Sequence, residues 1–319
     1  MQEQESTGVS LDMSYPAWQL FLGSRALLVY TIGSQTETFG HGQRLRDLTV
    51  TRNYAPIYTI GTREMTAVPY GQFRVSWGVD VAFSNISILC LVFNCSQQSG
   101  QQGTVITGTT LYEPVHFDIN AYLQSGSTVK KFTLSRAVVM DMTISAESGR
   151  AEVSASLSGI ARDIAVADET SAPSIQLPSR IFNFAGAKLY TEAGTELPAT
   201  RAEISIRQGG DAVYRIGDDR FAAVYLGEYE VTASVEIPLS NVSLGYLSRL
   251  LANENLAGIS LELRSCTDAL CGDASPATVR FTTEGRGAIT DYRAPVTDIG
   301  LNTATIDIRF SRVVLQVTM

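Results

Sequence analysis

The sequence predicts a mainly β (α+β) protein with two tandem, duplicated β-barrel or β-sandwich domains, each with one flanking helix. The main observation is a repeat. Residues 71–88, GQFRVSWGVDVAFSNISI, align without a gap with residues 227–244, GEYEVTASVEIPLSNVSL, at an offset of 156. In both copies apolar and polar residues alternate, which is typical of half-buried strands. In addition, each half ends with the pattern of a β-hairpin.

The repeat is long enough to be a whole domain. The same offset extends back to Leu48 and Ile204, and solenoid repeats are only about 20–50 residues long. A chain of 319 residues has room for two domains. A proline-containing segment separates the halves and predicts a linker. We therefore predict an N-terminal arm (1–17), a first domain (18–165), a linker (166–178) and a second domain (179–319).

Composition limits the possible functions. Apolar residues make up 45% and charged residues 18% of the chain, which is typical of a globular protein. The net charge of −8 argues against a nucleic-acid-binding surface. No stretch approaches the roughly 20 apolar residues of a membrane span, so we expect no membrane partner. The first residues carry no secretory signal pattern, and we expect a protein made in a cytosol.

The elements of the first half follow from local patterns. Residues 18–33 are strongly apolar and predict a strand around residues 27–30. Residues 34–46 are polar and interrupted by glycine, which indicates a long loop or a hairpin tip. Val75, Trp77, Val79 and Val81 form the apolar side of an alternating strand, and residues 231–239 repeat that alternation.

Both alternating strands end in Ser-Asn, at residues 84–85 and 240–241, and both residue types favour helix N-caps. Residues 242–256 then have the spacing of an amphipathic helix with one apolar side, formed by Leu244, Leu247, Leu250 and Leu251. Residues 86–98 are the counterpart in the first half. They are more apolar and are also compatible with a strand.

Further strands are predicted at residues 104–117 and 129–134. The closing hairpin of the first half pairs residues 137–145 with 151–161. In the second half, we expect residues 295–300 to pair with 304–313.

The cysteines form two pairs with four residues between partners, Cys90/Cys95 and Cys266/Cys271. This spacing does not fit a zinc knuckle, whose paired ligands usually have two residues between them. Cys90 and Cys95 lie in an apolar, helix-compatible segment where positions five apart point to different faces, so we expect free thiols there. For Cys266 and Cys271 a disulfide and free thiols remain open alternatives.

No catalytic, metal or cofactor site is predicted. The two histidines, His41 and His116, lack a partner at metal-binding spacing, and no nucleophile elbow or phosphate-binding loop occurs. Asp218 and Asp219 could act as paired carboxylates. However, they lie in a turn whose counterpart in the first half lacks the pair, and a solvated turn is the simpler interpretation.

The order of these motifs resembles a known family. Ile60-Gly61-Thr62-Arg63-Glu64 is followed by the long strand ending in Ser-Asn, a helix and the closing segment VVMDMTISAESGRAEVSASLSGIA. This order resembles the tail tube proteins (major tail proteins) of long-tailed bacteriophages. The resemblance implies a subunit of stacked rings in the virion tail, assembled in the host cytoplasm. A two-domain member would form rings of three chains with six similar domains.

The resemblance also implies partners: other copies of the chain, the tail terminator, baseplate and tape-measure proteins, and double-stranded DNA as passing cargo. We expect acidic residues facing the lumen to repel phosphate. The candidates are Asp80, Glu236, Asp141, Glu152 and Asp307. Candidates for ring-to-ring contact are Thr36, Glu37, His41, Arg44 and Arg46. The alternative is a baseplate or distal tail protein, or another β-rich binding module of a virion.

Overall fold

The structure is a computed structural model. It describes residues 26–54, 57–58, 65–67, 70–100, 103–125, 128–178, 180–191, 193–255, 258–266, 276–284, 287–294 and 302–319. Within these ranges the protein is mainly β, which confirms the predicted class. The predicted arm (1–17), the apolar residues 18–25 and the predicted strand 295–300 lie outside the described residues.

The described chain contains one α-helix, α1 (Asn241–Leu251), one short 3-10 helix (Ile86–Leu91) and a series of strands. The strands are β1 (Ala26–Ile32), β2 (Gln35–Thr38), β3 (His41–Tyr54), β4 (Ile57–Tyr58), β5 (Met65–Ala67), β6 (Tyr70–Ala82), β7 (Phe93–Gly100), β8 (Gly103–Thr110), β9 (Phe117–Ser125), β10 (Thr128–Glu147), β11 (Ser154–Ala161), β12 (Asp163–Glu169), β13 (Ile181–Thr191), β14 (Glu196–Leu197), β15 (Arg201–Tyr214), β16 (Phe221–Pro238), β17 (Ile259–Cys266), β18 (Thr278–Glu284), β19 (Ala288–Arg293), β20 (Thr303–Phe310) and β21 (Arg312–Thr318).

One large sheet runs through both halves of the chain. Its central path has the order β19-β20-β16-β15-β10-β11-β6-β3, and every neighbouring pair in it is antiparallel. We call this set of eight strands the eight-strand path. In the described structure the path is open, because β3 and β19 are its two ends.

Strand β10 connects this path to a second group of strands. Its first part pairs with β9 and β12, and its second part pairs with β11 and β15. Arg136 lies between the two parts in the left-handed conformation (φ 52°), and its backbone N–H donates to Asp118 Oδ1 at 2.8 Å. The register of β10 shifts around this residue, so that one long strand pairs with two different sets of neighbours.

A separate seven-stranded sheet has the order β14-β13-β17-β18-β21-β8-β7. Most of it comes from the second half, but the hairpin β7–β8 belongs to the first. Strand β8 pairs with β21 over residues 105–108, and Phe93 contacts Phe281 with ring centroids 6.3 Å apart. Each of the two large sheets therefore contains strands from both halves of the chain.

The main core is a large apolar cluster with members from both sheets, and a smaller cluster of Val138, Ile160, Phe221 and Val224 is separate from it. In β6 the alternation was predicted correctly: Val75, Trp77, Val79 and Val81 are at most 3% exposed. In β16 the matching residues 231, 233, 235 and 237 are equally buried. The apolar side of the eight-strand path therefore faces the interior, since alternate side chains of a strand point to opposite faces.

The helix α1 was predicted correctly, but its predicted apolar side is buried only in part: Leu247 and Leu250 are half-buried, and Leu250 packs against the core. Ser243 and Tyr246 are its buried residues, whereas Leu244 and Leu251 are 46% and 79% exposed. In the first half the counterpart is a 3-10 helix followed by β7, so both interpretations of that segment hold in part. None of the described helices is long and apolar enough to cross a membrane.

Cys90 and Cys95 form a disulfide, which corrects the expectation of free thiols. That expectation assumed a continuous helix. The 3-10 helix instead ends at Leu91 and the chain turns into β7, which brings the two Cα atoms within 5.4 Å. Such a distance suits a disulfide. Cys266 ends β17, and Cys271 lies outside the described residues.

For residues 34–46 the long-loop alternative is wrong and the hairpin tip holds in part, because β1 and β2 turn between Ile32 and Gln35. Residues 26–38 form the hairpin β1–β2, and β3 begins at His41. The hairpin β10–β11 was predicted correctly, with Met142 opposite Leu157. In the second half the described partners of β20 are β19 and β16. Of the segment 166–178, residues 166–169 belong to β12.

Candidate functional site: the polar face of the large sheet

The face of the eight-strand path opposite the core is polar, except where Ile160 and Val138 pack in the smaller apolar cluster. We call it the polar face. It consists of the residues of the eight-strand path whose side chains point to the same side of the sheet as Asp80, Ser156 and Asp307. Small hydroxyl groups form contacts along it: Ser156 Oγ donates to Asp80 at 2.7 Å, and Ser234 Oγ donates to Asp307 at 2.5 Å. The face follows directly from strand alternation, because residues 76, 78 and 80 alternate with the buried residues of β6.

The structure brings four of the five predicted acidic residues to this face. Asp80 lies opposite Ser156, Asp141 opposite Ser158, and Asp307 opposite Ser234. Glu236 lies opposite Thr305 and accepts a hydrogen bond from Thr303 at 2.7 Å. Glu152 is outside the strands and is exposed, with a single β-bridge to Asn183.

Arginines lie on the same face, of which Arg46 was predicted for ring-to-ring contact, and Arg207 and Arg293 were not predicted at all. Arg46 contacts Asp80 at 3.2 Å, Arg293 contacts Asp307 at 2.6 Å, and Arg207 approaches Asp141 at 3.7 Å. All six side chains are more than a quarter exposed, so each pair stabilises the fold by about 1 kcal/mol at most. Their effect is therefore on the electrostatic character of the face rather than on stability.

Charges on the polar face nearly balance. In the registers of the described path, nine acidic residues and seven arginines share this face. The acidic residues are Asp47, Asp80, Asp141, Glu147, Glu203, Glu230, Glu236, Asp291 and Asp307, and the arginines are Arg44, Arg46, Arg74, Arg201, Arg207, Arg293 and Arg309. A surface of this kind has alternating charge and no extended cationic patch.

An arginine also recurs at the same place in both halves. Arg44 lies opposite Asp80, and Arg201 lies opposite Glu236. These arginines could not be placed beside the acidic residues from the sequence alone, because the register of β3 on β6 decides which residues are neighbours. With that register known, a basic residue opposite an acidic one would have indicated this pairing of opposite charges.

The second predicted set lies in two different places. Thr36 and Glu37 are in β2, where Glu37 accepts from Tyr30 at 2.8 Å and from Asn85 at 3.2 Å. His41 Nε2 lies 2.6 Å from the carbonyl oxygen of Pro178. Arg44 and Arg46 belong to the polar face instead. The five residues therefore do not form one surface.

A second cluster joins the two halves where the hairpin β15–β16 turns. Arg52 contacts Asp219 at 2.7 Å, and Arg220 contacts Asp163 at 2.8 Å. The guanidinium carbons of both arginines lie 5.3 Å from the ring centroid of Phe73. Asp219, considered above for catalysis, is thus bound by arginines, and Asp218 lies 3.6 Å from Arg162.

Several titrating groups are shifted by their surroundings. On the polar face the hydrogen bond to Glu203 raises the pKa of Arg201, and several groups elsewhere are shifted chiefly by burial. Burial, and secondly the charge of Glu37, raises the pKa of Tyr30. Burial alone raises the pKa of Tyr229. Burial, assisted by the charge of Arg136, lowers the pKa of His116. None of these last three groups lies on the polar face. Among the residues that the structure describes, no group of three or more His, Cys, Asp or Glu could hold a metal ion.

The geometry thus gives the protein one extended, nearly charge-balanced sheet face. A family model described as phage tail tube protein matches residues 95–309, more than half of the chain. The chain therefore belongs to the phage tail tube protein family. The match runs from β7 to β20 and so spans both halves. No curated protein matches the chain. Membership indicates a structural role in a virion tail.

Proposed function

We propose that this protein is a tail tube subunit in which three chains form a ring, and that rings stack into a hollow conduit for double-stranded DNA. The observation that carries the proposal is the order of strands in the eight-strand path. The second four strands of the path repeat the first four in the same order.

The path divides into two blocks of four strands. The first block is β3-β6-β11-β10 and the second is β15-β16-β20-β19. Strands β6 and β16 carry the aligned repeats, and each has its preceding partner on one side and a strand of the closing hairpin on the other. We infer that the blocks are two copies of one domain, and the boundaries at residues 165 and 179 stay a prediction.

The two blocks are joined by pairing of β10 with β15. Strand β10 is the last strand of the first block, and β15 is the first strand of the second. The free ends of the path are β19 and β3, again a last strand and a first strand. A head-to-tail contact between copies would repeat the internal joint, and repetition of such a contact around an axis gives a closed ring. Closure would leave no free sheet edge.

The number of three chains follows from the resemblance to members with two fused domains, whose rings contain six similar domains. In such a ring the polar face would line the lumen, since the other face of the path is buried against the core. Asp80, Asp141, Glu236 and Asp307 are then lumen residues, each beside an arginine or a hydroxyl group. DNA could pass without a cationic patch to bind its phosphates.

Stacking requires contacts between rings. We keep Thr36, Glu37, His41, Arg44 and Arg46 as candidates, of which Thr36, Arg44 and Arg46 are exposed. A tail terminator, a baseplate and a tape-measure protein are the expected partners at the ends and in the lumen of the tube.

The direct test is the mass and shape of the purified protein. Mass photometry should give three times the 34.5 kDa of the chain, and negative-stain electron microscopy at high protein concentration should show hollow rings or tubes. Monomers that never associate would contradict the proposal. Val50→Lys, on the exposed edge strand β3, should prevent association because it places a charge in the joint. Tyr112→Lys is the matched control, since Tyr112 is 83% exposed and outside the path.

A further inference from the structure

We propose that β19 of one copy pairs with β3 of the next in one specific register, with Asp291 opposite Thr51, Tyr292 opposite Val50 and Arg293 opposite Thr49. The inference rests on the proposed ring and adds the residues that form its joint. The occupant of both free edges is thus a second copy of this chain.

The internal joint supplies the template. In it Asp141 lies opposite Arg207, Met142 opposite Ile206, and Thr143 opposite Ser205. The hydroxyl groups of Thr143 and Ser205 are 2.8 Å apart on the polar face. On the other face Met142 and Ile206 are 1% and 2% exposed, so the joint has a polar and a dry side.

The register of β19 on β20 matches that of β10 on β11. Each ladder has one irregularity, between Val139 and Asp141 in the first and between Ile289 and Asp291 in the second. Immediately after it, Asp141 lies opposite Ser158 and Asp291 opposite Asp307. A β-bulge at the same place fixes which residues correspond. Asp291, Tyr292 and Arg293 therefore take the places of residues 141, 142 and 143.

The register of β3 on β6 likewise matches that of β15 on β16. Leu48 lies opposite Trp77, and Ile204 lies opposite Ala233, which is the residue aligned with Trp77 by the repeat. From this point both ladders continue without a shift through the next residues. Thr49, Val50 and Thr51 therefore take the places of residues 205, 206 and 207.

Exposure of the matched residues indicates that an edge is uncovered. Val50 is 46% exposed, whereas its counterpart Ile206 is 2% exposed because β10 covers it. Both lie on the apolar side of the path. Burying Val50 against Tyr292 of a second copy would remove apolar area from water.

The polar side of the proposed joint is also complementary. Asp47 is two residues from Thr49 on the same strand and its side chain is 47% exposed. In the proposed register it lies diagonally across from Arg293, within reach of a long side chain. Arg293, which already contacts Asp291 and Asp307, would then connect two chains.

The test is a disulfide trap in the full chain. Two double variants sample adjacent pairs, Thr49→Cys/Arg293→Cys and Val50→Cys/Tyr292→Cys. One of the two adjacent pairs is a non-hydrogen-bonded pair, whose short separation suits a disulfide. The two positions of one chain lie on opposite ends of the eight-strand path, so a bond must join two copies. Mild oxidation should shift most of the protein to covalent dimers and trimers on a non-reducing gel.

The matched control is Thr51→Cys/Arg293→Cys, which represents a shift of two residues and should crosslink several-fold less. Mass photometry of the parent protein separates the two proposals. Rings in the parent, combined with crosslinking only in the shifted pair or in no pair, would overturn the register and leave the ring intact. A parent protein that remains monomeric at every concentration would overturn both.

Discussion

The central strands β6 and β16 occupy the same place in the two halves, yet they divide the interior volume differently. In the first half Trp77 lies opposite Gly159. In the second half Ala233 lies opposite Ile308. A large residue thus faces a small one in both halves, with the order exchanged. The repeat therefore does not preserve the size at each position, and not every pair compensates: Val75 lies opposite Ala161, whereas Val231 lies opposite Phe310.

The same two strands also lead into different structures. After β6, Asn85 caps the 3-10 helix, and its Oδ1 accepts from the backbone N–H of Ser87 at 2.9 Å. After β16, the N-cap of α1 is Ser240, one residue earlier in the repeat. The first half then continues into β7 with its disulfide, whereas the second half forms three turns of helix. Equal Ser-Asn pairs therefore do not fix the following element.

The largest effect should come from removing the bulk in the first half. Trp77 is 1% exposed, contacts Phe117 with ring centroids 5.9 Å apart, and lies above Gly159. Trp77→Ala should lower the free energy of unfolding by about 3–5 kcal/mol, because Gly159 offers no side chain to fill the cavity. Urea unfolding followed by circular dichroism would measure it.

The matched control is Val213→Ala, since Val213 is 49% exposed and should lose well under 1 kcal/mol. A loss of less than 1 kcal/mol for Trp77→Ala as well would mean that other core residues move into the space left by the indole, and that the small size of Gly159 opposite it does not determine the cost.

The Cys90–Cys95 disulfide of the first half should give the next largest effect. The double variant Cys90→Ser/Cys95→Ser should lower the free energy of unfolding by about 2 kcal/mol, because a closed loop of this length limits the unfolded chain. The parent protein measured with and without reductant provides an independent reading. If neither comparison changes stability, the turn from the 3-10 helix into β7 is held by packing alone.

A smaller effect should mark the start of α1. Ser243 Oγ accepts from the backbone N–H of Ser240 at 2.7 Å, and Ser243 is fully buried. Ser243→Ala should cost about 1 kcal/mol because the N–H loses its partner inside the protein. Ser248→Ala, at an exposed position of the same helix, is the control. Equal effects of both substitutions on thermal unfolding would argue against a capping role.

The smallest effect should be a dependence on pH that comes from the first half. The residue before β9 is His116. Since burial lowers the pKa of His116 below its usual 6.5, the unfolded chain binds a proton more readily than the folded protein. Stability should be highest above pH 6.5 and should fall as the pH decreases through 6.5 toward the lower folded pKa. His116→Asn should reduce that slope in urea unfolding, and an unchanged slope would exclude His116 as its source.

Much of the sheet could be predicted from the sequence because burial of one face imposes a period of two. Residues 75–81 and 231–237 carry that period without interruption, and both strands are observed. The pairing of β10 with β15 could not be predicted, since each strand pattern specifies a face and leaves the neighbour open. For the same reason Asp80 and Asp307 were found, whereas Arg293 was missed and Arg46 was assigned to a different surface. The acidic residues were identified by their own strands, but the arginines approach them from neighbouring strands.

The prediction for the buried side of helix α1 was wrong in part, for a different reason. Its leucines were assigned to the buried side by spacing, but Leu244 and Leu251 are exposed and Tyr246 is buried. Spacing identifies a helix and not the surface that it contacts. Cys90 and Cys95 were misjudged because the end of a short 3-10 helix has little sequence signal.

The pairing of β8 with β21 has a consequence for synthesis on the ribosome. Gly108 and Leu315 are neighbours in the sheet although roughly 200 residues separate them in the chain. While a ribosome is still making the second half, the edge of β8 has no partner, and a nascent chain at that stage offers an unpaired strand to its surroundings. The seven-stranded sheet can be completed only after β21 has emerged. Chaperones that shield strand edges would therefore act on this protein during the interval between the two strands.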